Sequence, residues 1–242
     1  MKLDILAFGV HPDDVELGCS GTLMAAMKEG KKVGIIDLTR GELGTRGNAD
    51  IRKTEAEKAS AIMGVSIREN LGMADGFFLN DERHQRKVME VIRKYQPDIV
   101  LANAFNDRHP DHGRSAKLVA DAVFLSGLRK IETLADGQIQ PIWKPAYVFH
   151  YIQDRFTEPS FVFDISDHMD KKIEAVLAYS TQFFNAELDE PQTYISSPQF
   201  LETVKARALM LGKRIGVAYA EGFCSEKTIG ISSFDGFIQQ VT

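Results

Sequence analysis

Cysteine is nearly absent. Only Cys19 and Cys224 occur, far apart and outside any Cys-x-x-Cys pattern, which excludes a disulfide framework and a thiolate zinc site and suits a reducing cytoplasm. Positive charge is not in excess: 29 Lys and Arg against 34 Asp and Glu leave a net charge of −5, so no basic field draws the chain to nucleic acid. Long apolar runs are missing, and none approaches the roughly 20 residues that span a bilayer. The first apolar stretch, broken by Asp4 and His11, is too short for the core of a signal peptide, so a cytoplasmic protein without a membrane partner is expected. Nucleotide signatures are also lacking. Between Gly9 and Gly21 the pattern Gly-x-Gly-x-x-Gly fails because His11 stands where the second glycine would let a pyrophosphate approach.

What is there reads as alternating strands and helices. With 44% hydrophobic and 26% charged residues in 242 positions, the chain has the composition of a soluble protein and enough length to bury a core unaided. Apolar runs at Leu3 to Phe8, Lys32 to Thr39 and Asp98 to Ala102 predict buried strands, with a weaker one from Val65 to Leu71 and shorter ones at Ala146 to Tyr151 and Phe161 to Ile165. Helical spacing predicts helices after Gly18, over Ile51 to Met63, around Val88 to Tyr95, over Arg114 to Ser126, from Ser166 to Phe184, and after Ser197-Pro198, where the hydroxyl is expected to cap. The fold class is α/β: a Rossmann-like, doubly wound, mostly parallel sheet with helices on both faces. No linker or repeat divides the sequence. One domain over 1–242 is expected, with a core to about residue 165 and a C-terminal elaboration from about 166.

Chemistry concentrates at two turns. Val10-His11-Pro12-Asp13-Asp14 follows the first strand, and Asn103 to Gly113, containing Arg108-His109-Pro110-Asp111-His112, follows the strand at 98–102. In a parallel sheet both emerge at the carboxyl edge, beside the glycine-rich loop Arg40 to Gly47. If the two strands are neighbours at the switch point, His11, Asp14 and one of His109 or His112 reach a single ion. Three protein ligands leave a position for water, as in hydrolytic zinc sites, whereas a fourth closes the site. Spacing does not decide between Asp13 and Asp14, or between the two histidines. The plainer alternative is that an aspartate caps the helix and His11 bonds a neighbouring backbone group. His84, among Glu82, Arg83, Gln85 and Arg86, is expected on a solvated face.

These two motifs, with Thr39-Arg40-Gly41-Glu42, Gly44-Thr45-Arg46-Gly47 and Tyr219-Ala220-Glu221-Gly222-Phe223, resemble the LmbE/PIG-L zinc de-N-acetylases over nearly the whole chain. The similarity is greatest to the members that deacetylate N-acetylglucosaminyl-malate in bacillithiol biosynthesis. The resemblance implies Zn2+ on His11, Asp14 and His112, with Fe2+ or Co2+ able to fill the same site. It implies Asp13 as general base, His109 as a second catalytic histidine oriented by Asp111, and Tyr194 near the substrate carbonyl. It further implies an amino-sugar conjugate as substrate and a homo-oligomer of up to six copies. Arg108, Arg52 and Arg46 are the candidates for binding the carboxylates of a malate aglycone, since a guanidinium takes a carboxylate through two parallel hydrogen bonds. A metal-dependent phosphoesterase would use similar ligands but favours a second metal, and the sequence offers no second His/Asp cluster.

Overall fold

Strands β1 (Ile5–Gly9) and β2 (Val33–Thr39) are buried at every position, as strands covered by helices on both faces must be. In the computed structural model, which describes residues 1–185 and 190–233, their side chains alternate between two cores. Leu6 and Phe8 pack with Val88, Ile92, Leu118 and Val119 on one face. Ile5 and Ala7 pack with Val15, Cys19 and Leu23 on the other. The helices supplying these contacts are α1 (Asp14–Lys28), α3 (Glu82–Tyr95) and α4 (Pro110–Ser126), with α2 (Ala49–Met63) and α5 (Met169–Leu177) beside α1.

The central sheet is completed by β3 (Ile67–Met73), β4 (Ile99–Ala102), β7 (Tyr147–Tyr151), β8 (Phe161–Asp164) and β9 (Ala220–Ser225), in the order β3-β2-β1-β4-β7-β9-β8. The first five strands in this order run parallel, while β9 pairs antiparallel with both β7 and β8. A separate hairpin, β5 (Leu134–Ala135) and β6 (Gln138–Ile139), turns on Asp136 and Gly137, both at positive φ. Helix α6 (Pro198–Lys213) packs on β9. No helix among the described residues is long and apolar enough to cross a membrane.

Local structure departs from the sequence reading in four places. The helix expected up to Phe184 ends at Leu177, because Glu55 on α2 accepts from the Thr181 amide and from the Ser180 and Thr181 hydroxyls, drawing that segment into a turn. Pro198 does open α6, but the Ser197 hydroxyl donates to the Tyr194 carbonyl instead of capping. His84 is not free in solvent; its ring bonds Asp81, the residue that caps α3. The Tyr219 to Phe223 motif forms most of an inner strand, so the region after residue 165 contributes to the central sheet itself.

Glycines in the middle of α1 are explained by what lies against them. A Cβ on Gly18 would sit 2.2 Å from the Tyr151 ring, and one on Gly21 2.8 Å from Ile165. The same stretch of helix is gripped by a buried ion pair. Lys172 donates to the carbonyls of Glu16 and Leu17 and to Glu221, and Glu221 accepts from the amides of Gly21 and Thr22 and from the Thr22 hydroxyl. Removing one member strands the other in a dry environment. Glu221→Ala is therefore expected to lower unfolding free energy by about 3–5 kcal/mol, measured by urea denaturation, and adding Lys172→Met should recover part of that loss.

Candidate active site

The chain leaves β1 at Gly9 and enters α1 at Asp14 through a turn whose Asp13 has φ 130°, in the region that disfavours side chains other than glycine. It leaves β4 at Ala102 and enters α4 at Pro110. Since β1 and β4 are hydrogen-bonded neighbours, the two turns open side by side at the carboxyl edge where the strand order reverses.

Asp14 fastens the two together. Its Oδ2 accepts from the amides of Val10 and His11 and from Asn103 Nδ2, each at 3.0 Å. Its Oδ1 lies 3.2 Å from His112 Nε2 and accepts from Gln153 Nε2 at 2.8 Å. His11 presents Nδ1 at 3.7 Å from Asp14 Oδ2, and its Nε2 bonds Asp75 Oδ1 at 3.0 Å. His112 is held by its other nitrogen as well, Nδ1 bonding Asp107 Oδ2 at 2.7 Å. Both imidazoles thus carry an outer carboxylate that fixes the ring while one nitrogen faces Asp14. By distance, the donors among the described residues that could share one ion are His11, His109 and His112, or His11, Asp75 and Asp111. Asp14, which contacts both His11 and His112, could add a carboxylate to two imidazoles and leave positions open.

The charges agree with that reading. Burial alone would raise the Asp14 pKa, but His112 and His11 draw it well below the usual carboxylate value. Burial disfavours charge on His112, yet Asp14 and Asp107 raise it to about 10. A buried anionic pocket of this kind attracts cations, whether protons or a metal.

Asp13 and His109 flank the donors differently. Burial, with Asp14 adding to it, lifts Asp13 to about 7 against the opposing charge of Arg52, which puts a carboxyl near the pKa a general base needs. His109 caps α4: its Nδ1 accepts from the Asp111 amide at 3.3 Å, leaving Nε2 as its available nitrogen. Its ring lies 4.7 Å from that of His11 and 5.6 Å from that of His112. Burial, then the charges of His11 and His112, lower its pKa.

Three of the expected site residues have partners that the sequence did not indicate. The Asp111 carboxylate does not orient His109; it accepts from the Gly76 amide and from Arg114, because the cap turns its backbone toward the His109 ring and its side chain away. Arg52 is buried and donates to the Pro12 carbonyl at 2.9 Å and to Asp13 at 3.3 Å, so it holds the candidate base. Arg46 is buried as well, spent on Glu190 and the Phe183 carbonyl. Arg108 stays at the mouth, stacked 4.6 Å over the Tyr194 ring, and both side chains bond Asp154.

His11, Asp13, Asp14, His109 and His112 line one cavity of about 270 Å³ with Arg108 and Tyr194 at its opening. A larger cavity, about 650 Å³, lies between α2 and the edge strand β3. It lacks convergent metal donors among the described residues, so the chemistry is placed by the donors and not by volume. Sequence reasoning missed Asp75, Asn103, Asp107 and Gln153. A signal was present: Asp75, Asn103 and Gln153 each follow closely on the carboxyl end of a parallel strand, β3, β4 and β7.

Residues 6–123 match the family model described as PIG-L, GlcNAc-PI de-N-acetylase. The diacetylchitobiose deacetylase of Thermococcus kodakarensis is 32% identical over 232 residues, which cover 90% of this chain and 81% of that protein. A probable N-acetyl-alpha-D-glucosaminyl L-malate deacetylase 2 of Bacillus anthracis is 23% identical, covering 72% of this chain and 78% of its own. The solved structure of the conserved protein TT1542 from Thermus thermophilus has a TM-score of 0.84 at 37% identity, covering 95% of this chain and 98% of that one.

The raised Asp13 pKa fixes the sign of a stability effect. Between the ordinary aspartate value near 3.8 and about 7, the folded chain binds a proton at Asp13 that the unfolded chain does not. Stability from this group is therefore full below that window and is lost as pH rises through it. Asp13→Asn, which never ionises, is expected to stabilise the metal-free protein at pH 8 relative to wild type and to do so much less at pH 5. Chemical denaturation at the two pH values measures it; an equal effect at both would show that Asp13 titrates normally.

Proposed function

Because the chain belongs to the PIG-L family of deacetylases, we propose that its carboxyl-edge site hydrolyses the acetamide of an N-acetylglucosamine unit with the help of one zinc ion. The closeness of the His11, His109 and His112 ring nitrogens, with Asp14 in contact with His11 and His112 and Asp13 beside them, supports this reading. Zinc bound there would supply Lewis acidity toward the acyl oxygen and acidify water toward neutrality. Asp13, held by Arg52, accepts the proton of the attacking water. His109, whose lowered pKa makes it a ready donor once protonated, delivers a proton to the departing amine. Asp75 and Asp107 keep His11 and His112 from rotating. Products are acetate and a free glucosamine unit.

The partner of the N-acetylglucosamine unit sits at the Arg108–Tyr194 mouth in this reading. Arg46 is committed inside the chain, whereas Arg52 lines the cavity and Arg108 stands at its mouth, so these two are the candidates for a malate carboxylate, as bacillithiol biosynthesis would require, with Arg108 the more exposed. A neutral second sugar is favoured instead by the 32% likeness to a diacetylchitobiose deacetylase and by the half-exposed Tyr194 ring. A homo-oligomer of up to six copies is part of the proposal and is read by sedimentation.

Acetate release from N-acetylglucosaminyl-malate, N,N'-diacetylchitobiose and N-acetylglucosamine, with and without chelator, is the primary test. Turnover of at least one, abolished by chelation and restored by zinc, is expected; no acetate from any of them sinks the reading. Alanine at His11, Asp14 or His112 should remove metal and activity together. Asp107→Ala should weaken metal binding by about 10–100-fold, read by competition with a chromophoric chelator. On a malate conjugate Arg108→Ala should cost about 1.5–3 kcal/mol in kcat/KM, and far less on N-acetylglucosamine. Equal losses on both assign Arg108 to the fold.

A further inference from the structure

The parallel ladder between β4 and β7 ends with Ala102 opposite His150. One residue further on, Asn103 leaves the sheet, and its carbonyl is met by a side chain: His150 Nδ1 lies 2.7 Å from it. A carbonyl only accepts, so the hydrogen is on Nδ1 and the bond fixes the tautomer. Nε2 is then a bare acceptor, buried without a hydrogen-bond partner among the described residues. The residue is 1% exposed, with the Phe105 ring over its own at 3.7 Å between centroids. Burial lowers its pKa to about 4, which keeps the ring neutral. A dry histidine with one nitrogen unpaired carries a desolvation cost that an apolar side chain of similar size avoids. What accounts for a histidine here is the bond that its other nitrogen makes.

That bond acts on Asn103. The Asn103 Nδ2 donates to Asp14 Oδ2 at 3.0 Å, and its Oδ1 accepts from the Val10 amide at 3.1 Å and the Ser115 hydroxyl at 3.2 Å. These contacts hold the side chain, while His150 holds the carbonyl and so sets the backbone from which the side chain projects. We infer that His150 is a positioning residue for the candidate metal site: by fixing the Asn103 carbonyl it keeps the Asn103 amide against Asp14, and thereby keeps Asp14 facing His11 and His112. The inference rests on the metal reading given above. His150 does not line the active-site cavity, so its influence on a bound ion passes through Asn103 and Asp14 alone. Partners outside the ligand shell that orient a ligating side chain in this way tune metal affinity without touching the metal.

The test measures zinc affinity of the metal-free protein by competition with a chromophoric chelator, with the thermal midpoint recorded for each variant. His150→Leu removes the Nδ1 hydrogen and the unpaired Nε2 together, and is expected to weaken zinc binding by about tenfold, the lower end of what partners outside the ligand shell contribute. His150→Asn carries its amide nitrogen two bonds from Cβ, where Nδ1 stands, and should bring affinity back to within about threefold of wild type. His150→Gln carries that nitrogen three bonds from Cβ, where Nε2 stands, and should bind zinc as weakly as His150→Leu. Asn103→Ala closes a double-mutant cycle: since His150 works through the Asn103 side chain, His150→Leu should cost no further affinity in the Asn103→Ala background. A merely structural histidine would lower the thermal midpoint in both backgrounds and leave zinc affinity unchanged. Wild-type affinity in His150→Leu, losses that add in the double variant, or a folded His150→Asn that binds no better than His150→Leu would each overturn the inference. The first two outcomes decide it even where His150→Asn fails to fold. Wild-type protein that binds no zinc would instead remove the metal reading on which the inference stands.

Discussion

The carboxylate of Asp14 is the constraint on which this architecture turns. Three donors from two neighbouring strand ends converge on one oxygen: the amides of Val10 and His11 after β1 and the side chain of Asn103 after β4. A carboxylate so fully hydrogen-bonded keeps its charge in a dry site. It also ties the two turns into one unit, which brings His11 and His112 to bear on the same point. Asn103 extends the tie further, since its side-chain oxygen accepts from the Val10 amide and the Ser115 hydroxyl and its carbonyl from His150.

Around that anchor, charges are arranged in matched pairs with one exception. His11 has Asp75, His112 has Asp107, and Asp111 has Arg114. Asp13 is the exception: Arg52 stands beside it, yet burial and the neighbouring Asp14 outweigh that attraction and push its carboxyl to about 7. It also sits at φ 130° on the capping position of α1. A strained backbone and a raised pKa at one residue, next to a group of metal-type donors, are what the proposed role of Asp13 as general base calls for.

The arginines show why local reading misassigns partners. Arg46 and Arg52 lie in the loop and helix that border the site, and a guanidinium near an active edge invites an anionic ligand. Their actual partners, Glu190, the Phe183 carbonyl, the Pro12 carbonyl and Asp13, are 39 to 144 residues away in sequence or are backbone atoms with no signature at all. Asp111 shows the same effect at short range. Two residues from His109, it looks like that histidine's orienting acid, but the helical cap directs its amide to the ring and its carboxylate to Arg114 and Gly76.

The sequence by itself determined the α/β class, the two strand-to-helix turns and the histidines and aspartates they carry, because burial on both faces writes unbroken apolar runs and turn chemistry is local. It did not announce β9, whose AEGFCS is one continuous piece of sheet only by virtue of its neighbours β7 and β8. Nor did it give Asp75, Asn103, Asp107 and Gln153 their tasks, although each was in plain view. Only the packed sheet decided these, by bringing the ends of β1, β3, β4 and β7 to one edge. A hydrogen bond is specified to within tenths of an ångström, and sequence spacing carries no such information between strands that are distant along the chain.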